Sequence, residues 1–181
     1  MLTDSLLNFV APGSPLSLVL GVGVGAASNV IDLLGSGSGT APANIIGNAS
    51  LFGADVGIGL YRPLINIVTG TAFATADGAT LNVEFQAAPD TGSGYGYVPG
   101  AWKTLEETGY MPVADLAAGT VIGRFSFPPA IPANFRPRFL RLFFQPLAAT
   151  QFTAGTIASA VVTMARDDQA NRFTPRNFAV A

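Results

Sequence analysis

An all-β fold, an antiparallel β-sandwich with long loops and extended termini, is what this sequence predicts. Three observations carry the prediction. About eight segments place apolar side chains at every second position, no window sustains a helical period, and 21 glycines with 13 prolines punctuate the segments. Many short strands joined by Gly- and Pro-rich turns belong to sandwiches and barrels.

Taken in order, the first two strand candidates are Leu16 to Val22 and Val30 to Leu33. Between them Gly21, Gly23 and Gly25 form part of a dinucleotide-binding fingerprint, but that motif needs a following helix and an acid about 20 residues on. A short strand follows instead, so these glycines mark a bend. The apolar run Leu16 to Ala27 has the look of a signal-peptide core. Nothing basic precedes it, Asp4 lies upstream, and it is too short to span a bilayer, so neither export nor membrane insertion is expected. Residues 35–57 form a long loop insertion, and its sequon Asn48-Ala49-Ser50 carries little weight without a secretory route.

The next strand is Leu60 to Val68. In the one after it, Leu81, Val83 and Phe85 alternate with Asn82, Glu84 and Gln86, the period of a strand with one buried face. A loop from Pro89 to Gly100 sets Tyr95 and Tyr97 among glycines. Trp102 to Glu106 is a further strand, and Pro112 to Ala118 has room for one helical turn. Val121 to Phe127 places Val121, Phe125 and Phe127 on one side, with Ile122, Arg124 and Ser126 on the other. Phe139 to Gln145 is apolar on both faces, Leu140, Leu142 and Phe144 opposing Phe139, Arg141 and Phe143. Ile157 to Met164 alternates again. Two similar turns, 73–78 and 152–155, each put a phenylalanine and small residues ahead of a strand and read as sandwich corners. The expected organisation is one domain over residues 1–166, with an N-terminal arm of about 1–13, and an extended C-terminal arm at 167–181.

Composition narrows function. The 181 residues contain no cysteine and no histidine. Thiolate chemistry, the usual general base and the commonest transition-metal ligand are therefore absent. Charged residues make up 11% and the formal net charge is −2, which argues against a nucleic-acid partner that would need a basic patch. Eight of the nine basic residues are arginine. Interfaces are enriched in arginine and aromatics and poor in lysine, so this chain is suited to packing against other chains.

No catalytic, metal or cofactor site is expected. Glycoside hydrolysis needs two carboxyls converging on a cleft, but neighbours such as Glu106 and Glu107 point to opposite faces of a strand. Asp77 and Asp90 lack the clustered oxygens that calcium takes and read as turn residues. The basic run Arg136-Pro137-Arg138-Phe139-Leu140-Arg141 leads into a strand core, so Arg136 and Arg138 are expected to point outward. Arg141 is different. It shares a face with Phe139 and Phe143, which suits stacking or an acid across an interface. Beyond the last strand, Arg172, Phe173, Arg176 and Phe178 recur where no core remains to receive them, as in an arm that orders on a neighbour. A separate class, a carbohydrate-binding module, would use Tyr95, Tyr97 and Trp102 as a stacking platform.

The order of segments resembles the jelly-roll capsid cement, or head decoration, proteins of tailed bacteriophages. The residues that carry the likeness are Asn29-Val30-Ile31-Asp32-Leu33, Ala79 to Gln86, Leu105 to Gly109, Leu116 to Gly119, Pro137 to Leu142, and Phe152-Thr153-Ala154-Gly155 with the strand to Met164. It spans roughly residues 29–166. The 35–57 insertion and the long C-terminus depart from shorter members. The resemblance implies a jelly-roll sandwich on the outer surface of a virion capsid, bridging subunits of an HK97-fold major capsid protein. It also implies a homo-oligomer, a dimer in preference to a trimer, with no direct nucleic-acid or membrane contact. Arg141, Tyr95, Tyr97 and the Arg–Phe arm are the expected contact residues.

Overall fold

A computed structural model describes residues 8–33, 36–40, 50–52, 63–92, 98–127, 135 and 137–164. In chain order the strands are β1 (Asn8–Val10), β2 (Leu16–Ser17), β3 (Ala26–Ala27), β4 (Ile31–Asp32), β5 (Ser36–Thr40), β6 (Ser50–Phe52), β7 (Pro63–Thr69) and β8 (Ala74–Thr75). They continue with β9 (Thr80–Ala88), β10 (Lys103–Glu107), β11 (Met111–Pro112), β12 (Val121–Ser126), β13 (Phe139–Pro146), β14 (Phe152–Ala154) and β15 (Thr156–Met164). One 3₁₀ turn, Val113–Asp115, falls inside the span expected to hold a helical turn.

The strands make two main antiparallel sheets. The first runs β1-β15-β7-β12, with β2 also on β15; the second runs β10-β9-β13-β3, with β4 on β13 and β11 on β9. Period-2 patterning explains the faces. In β7, Pro63, Ile65, Ile67 and Thr69 turn inward, and from the second sheet Leu81, Val83, Phe85, Leu140, Leu142 and Phe144 meet them. The sheets join through aromatic rings. Phe85, fully buried, lies 5.9 Å from Phe9 edge-on, 6.0 Å from Phe125 and 6.3 Å from Phe127. Each such ring contributes about 1.5–3 kcal/mol by leaving water. The fold is an all-β sandwich, as expected.

Three sequence expectations change. The run Leu16 to Val22 is strand only to Ser17; the chain then turns, with Val24 N donating to Gly21 O and Gly23 in the left-handed region at φ +67°. In β12 a bulge between Val121 and Gly123 reverses the alternation, so Ile122 is buried while Val121 is exposed. An extra residue in one strand shifts every side chain beyond it to the other face. A bulge between Ile157 and Ser159 likewise lets both Ile157 and Ala160 enter the core.

The two similar turns prove to be neighbours. β14 pairs with β8, and the Phe73 and Phe152 rings meet edge-on at 5.0 Å. Gly155, at φ +142°, is indispensable there, because a Cβ would lie 2.5 Å from the Phe73 ring.

Candidate functional site

The outer face of the second sheet carries an unusual concentration of polar and aromatic groups. Register sets them side by side: Arg141 of β13 lies opposite Gln86 of β9, Phe143 opposite Glu84, and Gln145 opposite Asn82. Because side chains alternate, all six share the outward face.

Arg141 is the centre of this array. Its guanidinium sits 4.1 Å from the centroid of the Trp102 ring and 5.1 Å from that of Phe143, while Nε donates to Gln86 Oε1 at 2.8 Å. Gln86 Nε2 donates to Glu84 Oε2 at 2.7 Å, and Thr104 Oγ1 donates to the same oxygen at 2.7 Å. Further along, Asn82 Nδ2 donates to Glu107 Oε2 at 2.9 Å. These bonds account for a departure from the expected solvated face: Asn82 and Gln86 are buried. Partial burial lowers the Arg141 pKa, and the charge of Glu84 opposes that shift. Arginine nonetheless remains a cation at any physiological pH. Of the two phenylalanines expected beside Arg141, Phe143 is its partner, and Phe139 instead lies under Arg138 at 5.3 Å.

Arg138 itself corrects the expectation that it points outward, for it is only 8% exposed. Nε and Nη2 grip Asp32 of β4 at 2.8 and 2.9 Å, and Nη1 reaches Asp90 at 2.7 Å. The planar guanidinium can take a carboxylate with two parallel bonds, which a lysine could not do. The hydrogen bonds to Asp32 foremost raise the Arg138 pKa against the effect of burial. Asp90 is thus more than a turn residue. Its Oδ1 accepts from Gly92 N at 2.9 Å and Val98 N at 3.2 Å, closing the stem of the loop expected to carry contact tyrosines. The Gly92 amide foremost, then Val98 and Arg138, hold the Asp90 carboxyl below its usual pKa against burial.

Of the residues singled out from sequence, Arg141 and Trp102 lie in this array. Tyr95, Tyr97, Arg136, Arg172, Phe173, Arg176 and Phe178 lie outside the described residues. Asp32, Gln86 and Glu84 were not anticipated as partners. No short-range signal could have found them, since Arg138 and Asp32 are 106 positions apart and Arg141 and Gln86 are 55 apart.

Chemically, the face offers a fixed cation between aromatic rings, backed by amides and a carboxylate. Such groups recognise and hold. The Arg141 guanidinium already covers one side of the Trp102 ring, which leaves a sugar only the opposite side for stacking. Comparison with protein-family models found no matching family, and comparison with curated proteins found no match.

Proposed function

We propose that this chain is a non-catalytic virion protein, a capsid cement or decoration protein that binds the outside of an icosahedral phage head. In this reading it bridges neighbouring subunits of an HK97-fold major capsid protein as a homo-oligomer. The observation that carries the reading is the Trp102–Arg141–Phe143 array on the outer face of the sheet. Buried interface anchors are enriched in tryptophan and arginine, and here both are already held in place, so little ordering cost remains on binding. The scarcity of lysine and of charge adds support.

Strand order supports the jelly-roll part of the reading. If β1, β3 with β4, β7, β9, β10, β12, β13 and β15 are counted one to eight, the sheets run 1-8-3-6 and 2-7-4-5. Strands one and eight, two and seven, three and six, and four and five are then neighbours. A single antiparallel ribbon wrapped into two sheets has that arrangement.

The C-terminal arm, with Arg172, Phe173, Arg176 and Phe178, supplies a second contact. A lattice of bridging oligomers converts modest contacts into high avidity. The test is cosedimentation with empty shells, followed by heating of the loaded shells. Binding that raises the temperature of shell rupture, and that weakens on deletion of residues 169–181 or in Arg141→Met, is the expected result. Shells whose heat resistance does not change would overturn the cementing role, and undiminished binding by the truncated chain would remove the arm from it.

A further inference from the structure

We infer that the outer face of the second sheet takes an acidic side chain, an aspartate or glutamate of the protein it binds, on the open end of the Arg141 guanidinium. A guanidinium donates through Nε and through both Nη atoms. In Arg141 only Nε has an acceptor, Gln86 Oε1 at 2.8 Å, and among the described residues nothing accepts from either Nη. Arg138, three positions back in the chain, is the contrast. Its Nε and Nη2 bond Asp32 and its Nη1 bonds Asp90, so its fork is filled from within the fold. Arg141 presents the same fork with no carboxylate in it.

The fork is also held in place. The Trp102 and Phe143 rings lie 4.1 and 5.1 Å from the guanidinium, and the bond to Gln86 fixes its Nε edge. Phe143 is seated in turn against Gly25, where a Cβ would come within 2.6 Å of the ring. Gln145, in the next outward position of β13, ties that loop down by donating from Nε2 to Gly23 O at 3.3 Å. Half-buried among rings, Arg141 has given up hydration without gaining an ion pair. A carboxylate supplies what is missing, because its two oxygens match the two Nη atoms in parallel charge-assisted bonds.

Charge selects among the anions. Glu84 stands opposite Glu107 in the register of β9 and β10, so both carboxylates share this face. Glu84 Oε2 accepts from Gln86 and Thr104, and Glu107 Oε2 accepts from Asn82, so these acids are engaged by amides and a hydroxyl rather than by Arg141. Their charge penalises each further negative charge brought alongside. A single carboxylate gains more from the fork than it loses to Glu84 and Glu107. A phosphate dianion or a nucleic-acid backbone brings more negative charge for the same fork. A neutral amide fills the fork and leaves the cation without its counter-charge.

This inference rests on the proposed binding face and names the chemistry it binds, yet its test needs no capsid. The intact chain, isotope-labelled for nuclear magnetic resonance, is titrated with sodium propionate in place of sodium chloride at constant ionic strength. The Nη signals of Arg141 and the indole N–H of Trp102, the chain's one tryptophan, should shift together and saturate. Those of Arg138, whose fork is full, should stay where they are. Propionamide and inorganic phosphate should move Arg141 several-fold less. Arg141→Lys keeps the charge and loses the fork, so it should abolish the Trp102 shift, with circular dichroism confirming the fold. On shells that bind the chain, the same variant should weaken binding roughly 10-fold or more. Arg141 shifting no more than Arg138, or propionamide or phosphate matching propionate, would overturn the inference. Shells that do not bind at all would end the cementing role, while the propionate titration would still decide what the fork takes.

Discussion

Arg141→Met keeps the aliphatic stem of the residue at the centre of the outer face and removes its guanidinium. The hydrogen bond to Gln86 Oε1 at 2.8 Å is charge-assisted, and bonds of that kind contribute about 1.5–3 kcal/mol. Stacking on Trp102 at 4.1 Å, in a partly desolvated setting, adds about 1 kcal/mol. The variant should therefore lose roughly 2–4 kcal/mol, a fall in Tm of roughly 5–15 °C for a domain of this length. The decisive measurement is a double-mutant cycle with Trp102→Leu, using urea unfolding of all four proteins. If the guanidinium and the indole act on each other, the double variant will be less destabilised than the sum of the singles, by about 1 kcal/mol. Coupling below about 0.3 kcal/mol would mean that the ring and the cation are neighbours without mutual stabilisation. The face would then lose its claim to be a pre-organised anchor.

Gly155→Ala should cost roughly 2–5 kcal/mol, because the new Cβ meets the Phe73 ring at 2.5 Å in a backbone conformation reserved for glycine. A urea midpoint near wild type would contradict the packing described. The loop stem should be acid-labile. The carboxyl of Asp90 is held below its ordinary 3.8, so its contribution is present above that pH and is lost as pH falls through the lowered value. Hydrogen exchange at the amides of Gly92 and Val98 should stay protected from neutrality down to about pH 4 and lose protection below 3.8, well before Val83 in the core. Unchanged protection in stronger acid would show that the backbone, without the carboxylate, closes the loop.

The all-β architecture was legible because alternation is a local property. β7 alternates buried and half-buried positions throughout, β9 alternates Leu81, Val83 and Phe85 with polar Asn82, Glu84 and Gln86, and burial of the apolar set against a facing sheet follows from it. The glycines around Gly23 were legible as a bend for the same reason, since φ preferences act on one residue at a time. The bulges in β12 and β15 were not, because an extra residue leaves no mark until a partner strand counts against it. Arg141 was legible as an oddity on an aromatic face, while its true partners, Trp102 and Gln86, come from elsewhere in the chain. Arg138 was misplaced altogether. Only when β13 is laid between β9 and β4 do Asp90 and Asp32 converge on it, and a charge that sequence assigns to solvent becomes a buried clasp. Pattern and composition thus determined strands, turns and the absence of histidine and thiol chemistry, all of which are read one segment at a time. The tertiary structure decided which polar side chains meet, because hydrogen bonds and ion pairs reach only a few ångströms and depend on segments that only folding brings together.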